Sequence, residues 1–149
     1  MAKKKRSDRL ALVQDLAEKK RKAADQMLAQ SKARITQGEA QLAQLREYKD
    51  EYHKAFEAQG RQGLTLAKID TYQAFITKLA LAIEQQVKAL EANRQELKAV
   101  EQHWARCYAQ EQGMTKLVDK SRDDEQRAEE KKLQAALDER AQLIPPRPM

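Results

Sequence analysis

Along most of this chain apolar side chains return in steps of three and four residues. From Leu10 a stripe can be followed through Val13, Ala17, Ala24, Met27, Ser31, Ile35, Gly38, Leu42, Leu45, Tyr52 and Phe56, with Lys20 and either Tyr48 or Lys49 at the remaining steps. Side chains at this interval stay on one slowly turning face of a helix, which is the spacing of a coiled-coil seam. The stripe stops at Gln59-Gly60-Arg61-Gln62-Gly63. Glycine closes a helix end in the left-handed conformation, and a short glycine-containing loop joins antiparallel helices. A second stripe then runs through Leu66, Ile69, Tyr72, Ile76, Leu79, Ile83, Val87, Leu90, Arg94, Leu97, Glu101, Trp104 and Tyr108, with Leu117 or Val118 beyond. The pattern predicts an all-α fold, a long antiparallel two-helix coiled coil (a helical hairpin) whose second helix is longer than the first.

The expected organisation is a basic, disordered N-terminus over residues 1–7, the coiled-coil hairpin over 8–143 with its turn near 59–63, and a disordered tail over 144–149, where Pro145, Pro146 and Pro148 end any helix. Ser7 is placed to cap the first helix ahead of Asp8, and Thr65 or Thr71 to cap the second. At 1.5 Å per residue the arms would be roughly 75 Å and roughly 120 Å long. Folded at the glycines, the first arm runs out near Gln112-Gly113. Beyond it a charged helix with a weak Leu133, Leu137 pattern is left for a partner to finish.

One segment carries more apolar surface than a single seam needs. Between residues 64 and 90, Phe75, Leu79, Ala82 and Gln86 form a second stripe beside the seam. A two-helix hairpin has no third element to cover it, and an uncovered apolar stripe marks a place where another protein sits. A homodimer, or broadened packing near the turn, is the alternative cover.

Composition agrees with long helices. Of 149 residues, 35% are charged and only 5% aromatic, with 41% apolar residues that are mostly Ala and Leu. Ala, Leu, Lys, Glu, Gln and Arg are the best helix formers, and a mean hydropathy of −0.89 argues against a thick globular core. The net charge of +6 is concentrated: residues 1–22 hold nine Lys or Arg against three acids. Such an end seeks an anionic protein, nucleic acid or lipid surface, or serves as a solubilising tail. One cysteine and no long apolar run fit a cytoplasmic compartment.

Catalytic chemistry is not written in the chain. His53 and His103 stand on different arms without an acid and cysteine cluster, and Cys107 has only His103 at helical spacing. No glycine-rich phosphate loop occurs. The reading is a protein that is not an enzyme, with no cofactor, no metal site and no small-molecule substrate. Trp104 is a seam residue. The basic N-terminus lacks the interleaved aromatics of a single-strand binder, so no nucleic-acid partner is expected.

Several segments together resemble the FliJ family of flagellar type III export proteins. They are Asp15-Leu16-Ala17-Glu18-Lys19, Tyr48 and Tyr52 before the turn, and above all Tyr72-Gln73-Ala74-Phe75-Ile76, followed by Ala82-Ile83-Glu84-Gln85 and later Trp104. The resemblance implies an antiparallel coiled coil similar to the rotor stalk of rotary ATPases. It implies binding to the hexameric export ATPase and promotion of its ring, contact with the membrane export gate, and handling of export chaperones. By the resemblance, the gate patch falls on Phe75, Leu79, Ala82 and Gln86, the last standing where a well-known member has histidine. Analogy with a rotor stalk places the ring-facing basic residues at Lys19, Lys20, Arg21 and Lys22. The expected location is cytoplasmic, held peripherally at the inner membrane at the flagellar base. The rival readings are a general coiled-coil adaptor, a nucleic-acid-associated protein, or the equivalent stalk of a virulence injectisome.

Overall fold

The structure, a computed structural model, describes residues 5–144. They form two helices, α1 (Arg6–Gly60) and α2 (Leu66–Leu143), with no strand among the described residues. The chain is a helical hairpin with the longer helix second. The segments expected to be disordered, residues 1–7 and 144–149, fall mostly outside the described residues. Within the described part, Arg6 and Ser7 already belong to α1.

The helices are joined by residues 61–65, slightly later than the turn expected at 59–63. Gln62 N–H donates to Gln59 O and Gly63 N–H to Gly60 O, tightening the last turn of α1. Gly63 takes a φ of 95°, the left-handed region where a side chain would be strained. Thr65 then caps α2: its hydroxyl accepts the Lys68 N–H at 3.3 Å, and its carbonyl accepts from Lys68 and Ile69. Thr71 instead bonds back to Ala67 O inside the helix.

Each helix buries one stripe, and the stripe is an unbroken alternation of steps of three and four. On α1 it runs Ser7, Leu10, Gln14, Ala17, Arg21, Ala24, Leu28, Ser31, Ile35, Gly38, Leu42, Leu45, Lys49, Tyr52 and Phe56, all buried or partly buried. On α2 it runs Ile69, Tyr72, Ile76, Leu79, Ile83, Gln86, Leu90, Asn93, Leu97, Val100, Trp104, Cys107, Glu111, Met114, Val118, Ser121 and Glu125. In heptad letters, a is the column of Ser7 and Ile69, and d that of Leu10 and Tyr72. This corrects the seam expected from hydrophobicity at several alternate steps. Val13, Met27, Val87 and Tyr108 are 41–49% exposed, while the neighbouring Gln14, Leu28, Gln86 and Cys107 point inward. One residue along a helix is a rotation of about 100°, so a strict alternation admits only the neighbour that falls in step, even where the other is more apolar.

Two compact units divide the pair: Ala24–Trp104, and the described parts of Met1–Ala23 with Ala105–Met149. In the first, Arg34 meets Glu96 and Glu39 meets Arg94, each at 3.4 Å. Those are a g position against a g position and an e against an e, the flanking pairs of an antiparallel coiled coil. The closest approach is at Gly38. A Cβ there would lie 2.7 Å from Leu90 Cδ2, and Leu90 is only 2% exposed. In the other unit polar groups fill the seam: Gln14 Nε2 donates to Thr115 Oγ1 at 3.0 Å, and Arg21 Nε to Glu111 at 2.5 Å.

The pairing of this second unit reaches further along α2 than Gln112-Gly113, because Ser7 meets Glu125. Side chains on a helix lean towards its N-terminus, away from the turn on α1 and towards it on α2. A residue of α1 therefore meets a partner whose backbone lies further out on α2. Every described residue after Glu125 is exposed.

Two glycine replacements separate close packing from helix propensity. Gly38→Ala gains about 1 kcal/mol of propensity, but overpacking against Leu90 costs about 1–3 kcal/mol, so urea denaturation should show a net loss of about 1 kcal/mol. At Gly113 an added Cβ meets nothing within 4 Å, and Gly113→Ala should raise stability by about 1 kcal/mol. Stabilisation by both would contradict the close helix approach at Gly38.

Candidate functional site

Near the turn the seam is aromatic. Tyr52 stacks on Tyr72 with ring centroids 5.7 Å apart, Phe56 on Tyr72 at 3.7 Å, and Phe75 lies tilted on Tyr52 at 4.3 Å and edge-on to Tyr48 at 5.9 Å. Aromatic contacts of this kind add about 0.5–1.5 kcal/mol each beyond burial. His53, exposed, bridges Tyr72 OH through Nδ1 and Glu57 through Nε2.

This packing settles where the second stripe lies. Leu79 is 8% exposed, and Phe75, Ala82 and Gln86 are partly buried against α1. Leu79 and Gln86 are d residues of the seam, and Phe75 and Ala82 are g residues along its edge. The expectation that these four side chains lack any cover is therefore corrected: α1 covers their inner side. The physical reason is that the helix pair contacts along d and g on this side, so the stripe is the flank of the interface. Gln86 Nε2 donates to Gly38 O at 3.2 Å and to Gln41 Oε1 at 3.3 Å, bonds only a residue facing α1 can make.

What stays open is the outer side, and it belongs to both helices. Gln41, Gln44, Leu45, Tyr48 and Glu51 of α1 and Gln86 of α2 line a groove of about 560 Å³. Tyr48 is 52% exposed. The α1 half of this surface was not singled out from the sequence. Its signal was the spacing of Gln41 and Tyr48 by seven residues, one full heptad, at the same g edge as Phe75 and Ala82.

The basic segment sits in the other unit. Lys19, Lys20 and Lys22 are exposed, Lys22 pairing with Glu18 at 3.1 Å. Arg21 differs: it lies in the seam, its guanidinium engaged by the Glu111 carboxylate and both side chains about three-quarters covered. The structure thus separates the four residues into three outward cations and one that holds the helices together.

Ser7 does not cap its own helix as expected. It lies one residue inside α1, buried at 3% exposure, donating its N–H to Glu125 Oε1 at 3.0 Å and its hydroxyl to Oε2 at 2.6 Å. The first turn of a helix leaves N–H groups without partners, and here a carboxylate from α2 supplies the acceptor that Lys5, at the cap position, lacks. The Ser7 hydroxyl bond, then its N–H bond, hold the Glu125 carboxyl below the usual glutamate range, with Lys5 and Arg122 adding and desolvation opposing.

Among the described residues no group of three His, Cys, Asp or Glu is arranged to hold a metal. Cys107 is buried at 6% exposure, and the Trp104 indole N–H donates to Asp25 at 2.6 Å, so both are packed into the helix pair. No described helix is long and apolar enough to cross a membrane.

A hairpin of this length, with its tyrosine and phenylalanine cluster beside the turn, can be compared with known families. A family model described as Flagellar FliJ protein matches residues 6–148, nearly the whole chain. The chain belongs to the FliJ family. No curated protein and no solved structure matches it significantly. Membership makes the chain a component of flagellar type III export, associated with the export apparatus. The segment from Tyr72 to Ile76 that suggested FliJ forms, with Tyr48, Tyr52 and Phe56, the aromatic packing beside the turn.

The Glu125 clasp gives this FliJ-family protein an acid-dependent element of stability. Its folded carboxyl titrates below its unfolded one, so the stabilisation is complete above the ordinary glutamate range and is lost as pH falls through the lower folded value. Glu125→Gln should therefore cost stability at pH 7 and progressively less as acid is added. Urea midpoints of both proteins between pH 7 and pH 3 measure this, and a gap independent of pH would exclude the carboxylate as the source.

Proposed function

We propose that this FliJ-family protein is a non-enzymatic stalk that binds the export ATPase, promotes its ring, and couples it to the membrane export gate. The observation that carries the reading is the uncovered part of α2. Every described residue beyond Glu125 is exposed, and Leu133 and Leu137, four apart on one face, are 63% and 50% exposed. A single helix gains its stability in proteins mainly by packing one face against a partner. The hexameric ATPase supplies that partner, and Lys19, Lys20 and Lys22 contact it from α1 while Arg21 fixes the pair beneath them.

The gate meets the g-side groove. Phe75, Ala82 and Gln86 present their outer sides, Leu79 backs them, and Gln41, Gln44 and Tyr48 complete the surface from α1. Unladen export chaperones use the same protein as a relay, and gate contact holds it peripherally at the inner membrane within the cytoplasm.

Substoichiometric amounts of the full chain should stimulate the purified cognate ATPase and increase its rings in electron micrographs. Lys19→Glu with Lys20→Glu and Lys22→Glu, and separately Leu133→Gln with Leu137→Gln, should each reduce that stimulation at least severalfold while leaving helicity intact. Unchanged stimulation by both would refute ring docking through these groups. For the gate, Tyr48→Ala with Gln44→Arg should weaken binding to the gate's cytoplasmic domain at least tenfold and impair motility. Full motility would remove the groove from the contact.

A further inference from the structure

In the unit that contains the basic segment, α1 carries cations and acids on one side and cations alone on the other. Residues 6–23 of α1, with Lys5 at its cap, place their c, f and g positions on one outward face. That face reads Lys5, Arg6 and Arg9, then Leu12, Val13 and Leu16, then Lys19 and Lys20, with Ala23 last. It contains no acid, because Asp8 and Asp15 are b residues and Glu18 is an e residue on the opposite flank. Leu12, Val13 and Leu16 are 59%, 49% and 53% exposed.

On α2 the c, f and g positions between 105 and 120 carry Arg106, Lys116 and Lys120 as exposed cations, Leu117 at 45% exposure, and no acid, the face ending where Asp123 and Asp124 take the next f and g positions. Asp119 is a b residue, and Glu111 is turned into the seam against Arg21. The contact of Gln14, an a residue, with Thr115, an e residue, fixes the other flank as the a and e side. The two stretches therefore adjoin along g, where Val13 and Leu117 both stand.

We propose that this face of the protein binds the surface of an anionic lipid bilayer directly. A protruding apolar cluster ringed by Lys and Arg is the arrangement of an interfacial helix, with leucines entering the boundary and cations at the headgroups. The long stems of Lys and Arg extend along the same boundary. Charge selects an anionic partner, and the shape selects lipid. A partner helix needs an apolar stripe continued over several turns, whereas here the apolar residues span little more than one turn of α1 and are closed by cations at both ends. The contact is additional to the gate contact proposed above and does not rest on it; because it shares Lys19 and Lys20 with the proposed ATPase contact, the bilayer and the ATPase are alternative occupants of those cations.

Flotation of the full chain with vesicles tests this. Vesicles with about one-third phosphatidylglycerol should carry the protein, and pure phosphatidylcholine vesicles should not. Lys19→Gln with Lys20→Gln should reduce partitioning about tenfold or more, at about fivefold per cation, and 0.5 M salt should act in the same direction. Leu12→Gln with Leu16→Gln, both at exposed positions, should reduce it at least tenfold while circular dichroism stays unchanged. Absence of binding to anionic vesicles overturns the proposal. So does unchanged partitioning of the leucine variant, and if that variant has also lost ATPase stimulation, the face belongs to a protein partner. Loss of vesicle binding without loss of gate binding separates this contact from the groove.

Discussion

Two helices share one interface, and each can turn only about two positions in seven into it. Everything else the hairpin carries must face outward, so the side chains on its flanks are the surface with which it meets other molecules. The choice of which positions turn inward is therefore the constraint on which the rest depends. That choice is an alternation of three and four kept without a break from Ser7 to Phe56 on α1 and from Ile69 to Glu125 on α2. It is held even where it brings Gln14, Arg21, Lys49, Asn93 and Glu111 into the seam and leaves Val13, Val87 and Tyr108 outside.

The polar seam residues make sense through their partners. Ser7 finds Glu125, Gln14 finds Thr115, and Arg21 finds Glu111. Buried side-chain polar atoms without partners are absent among the described residues. Such pairs add little net stability compared with well-packed leucines, yet removing one member leaves the other unsatisfied, which disfavours any slipped register. Gly38 against Leu90 does the same by shape, since only the register that sets Leu90 over the missing side chain lets the helices approach. Fixing the register fixes the flanks. In the unit Ala24–Trp104 the g flank carries Tyr48 and Phe75 beside a polar groove, and in the other unit its stretch from Arg9 to Lys20 on α1 and from Arg106 to Lys120 on α2 carries cations and apolar side chains.

Much of this was readable from the residues alone. Two helices, the reversal at the glycines, the longer second helix and the family all follow from stripes, turn chemistry and the segment around Tyr72. The seam was placed well from Ser31 to Leu45 and again from Ile69 to Ile83, where each step holds a residue small or apolar enough to declare itself. It slipped by one residue at Met27 and Val13, and at Val87 and Tyr108, because choosing the larger apolar neighbour ignores the partner helix, and at Lys20, Arg94 and Glu101 because the count of threes and fours was carried on from those steps. Carrying the alternation outward from Ile35 would have reached Leu28, Arg21 and Gln14. The stripe of Phe75, Leu79, Ala82 and Gln86 was found but read as uncovered, since one helix viewed alone does not reveal how far its partner wraps. Glu125 as the acceptor for the first turn of α1 had no local signal, being 118 residues from Ser7.

The central claim is that function here is a property of sides: a partner meets the g flank of the hairpin and not the e flank. A photoreactive side chain at exposed Gln44, on the groove, and another at exposed Arg46, on the opposite flank, report on this within one turn of the same helix. In cells assembling flagella, the account predicts strong crosslinks from position 44 to the export gate and little or nothing from position 46. Equal crosslinking from both positions, or crosslinking from 46 alone, would contradict it.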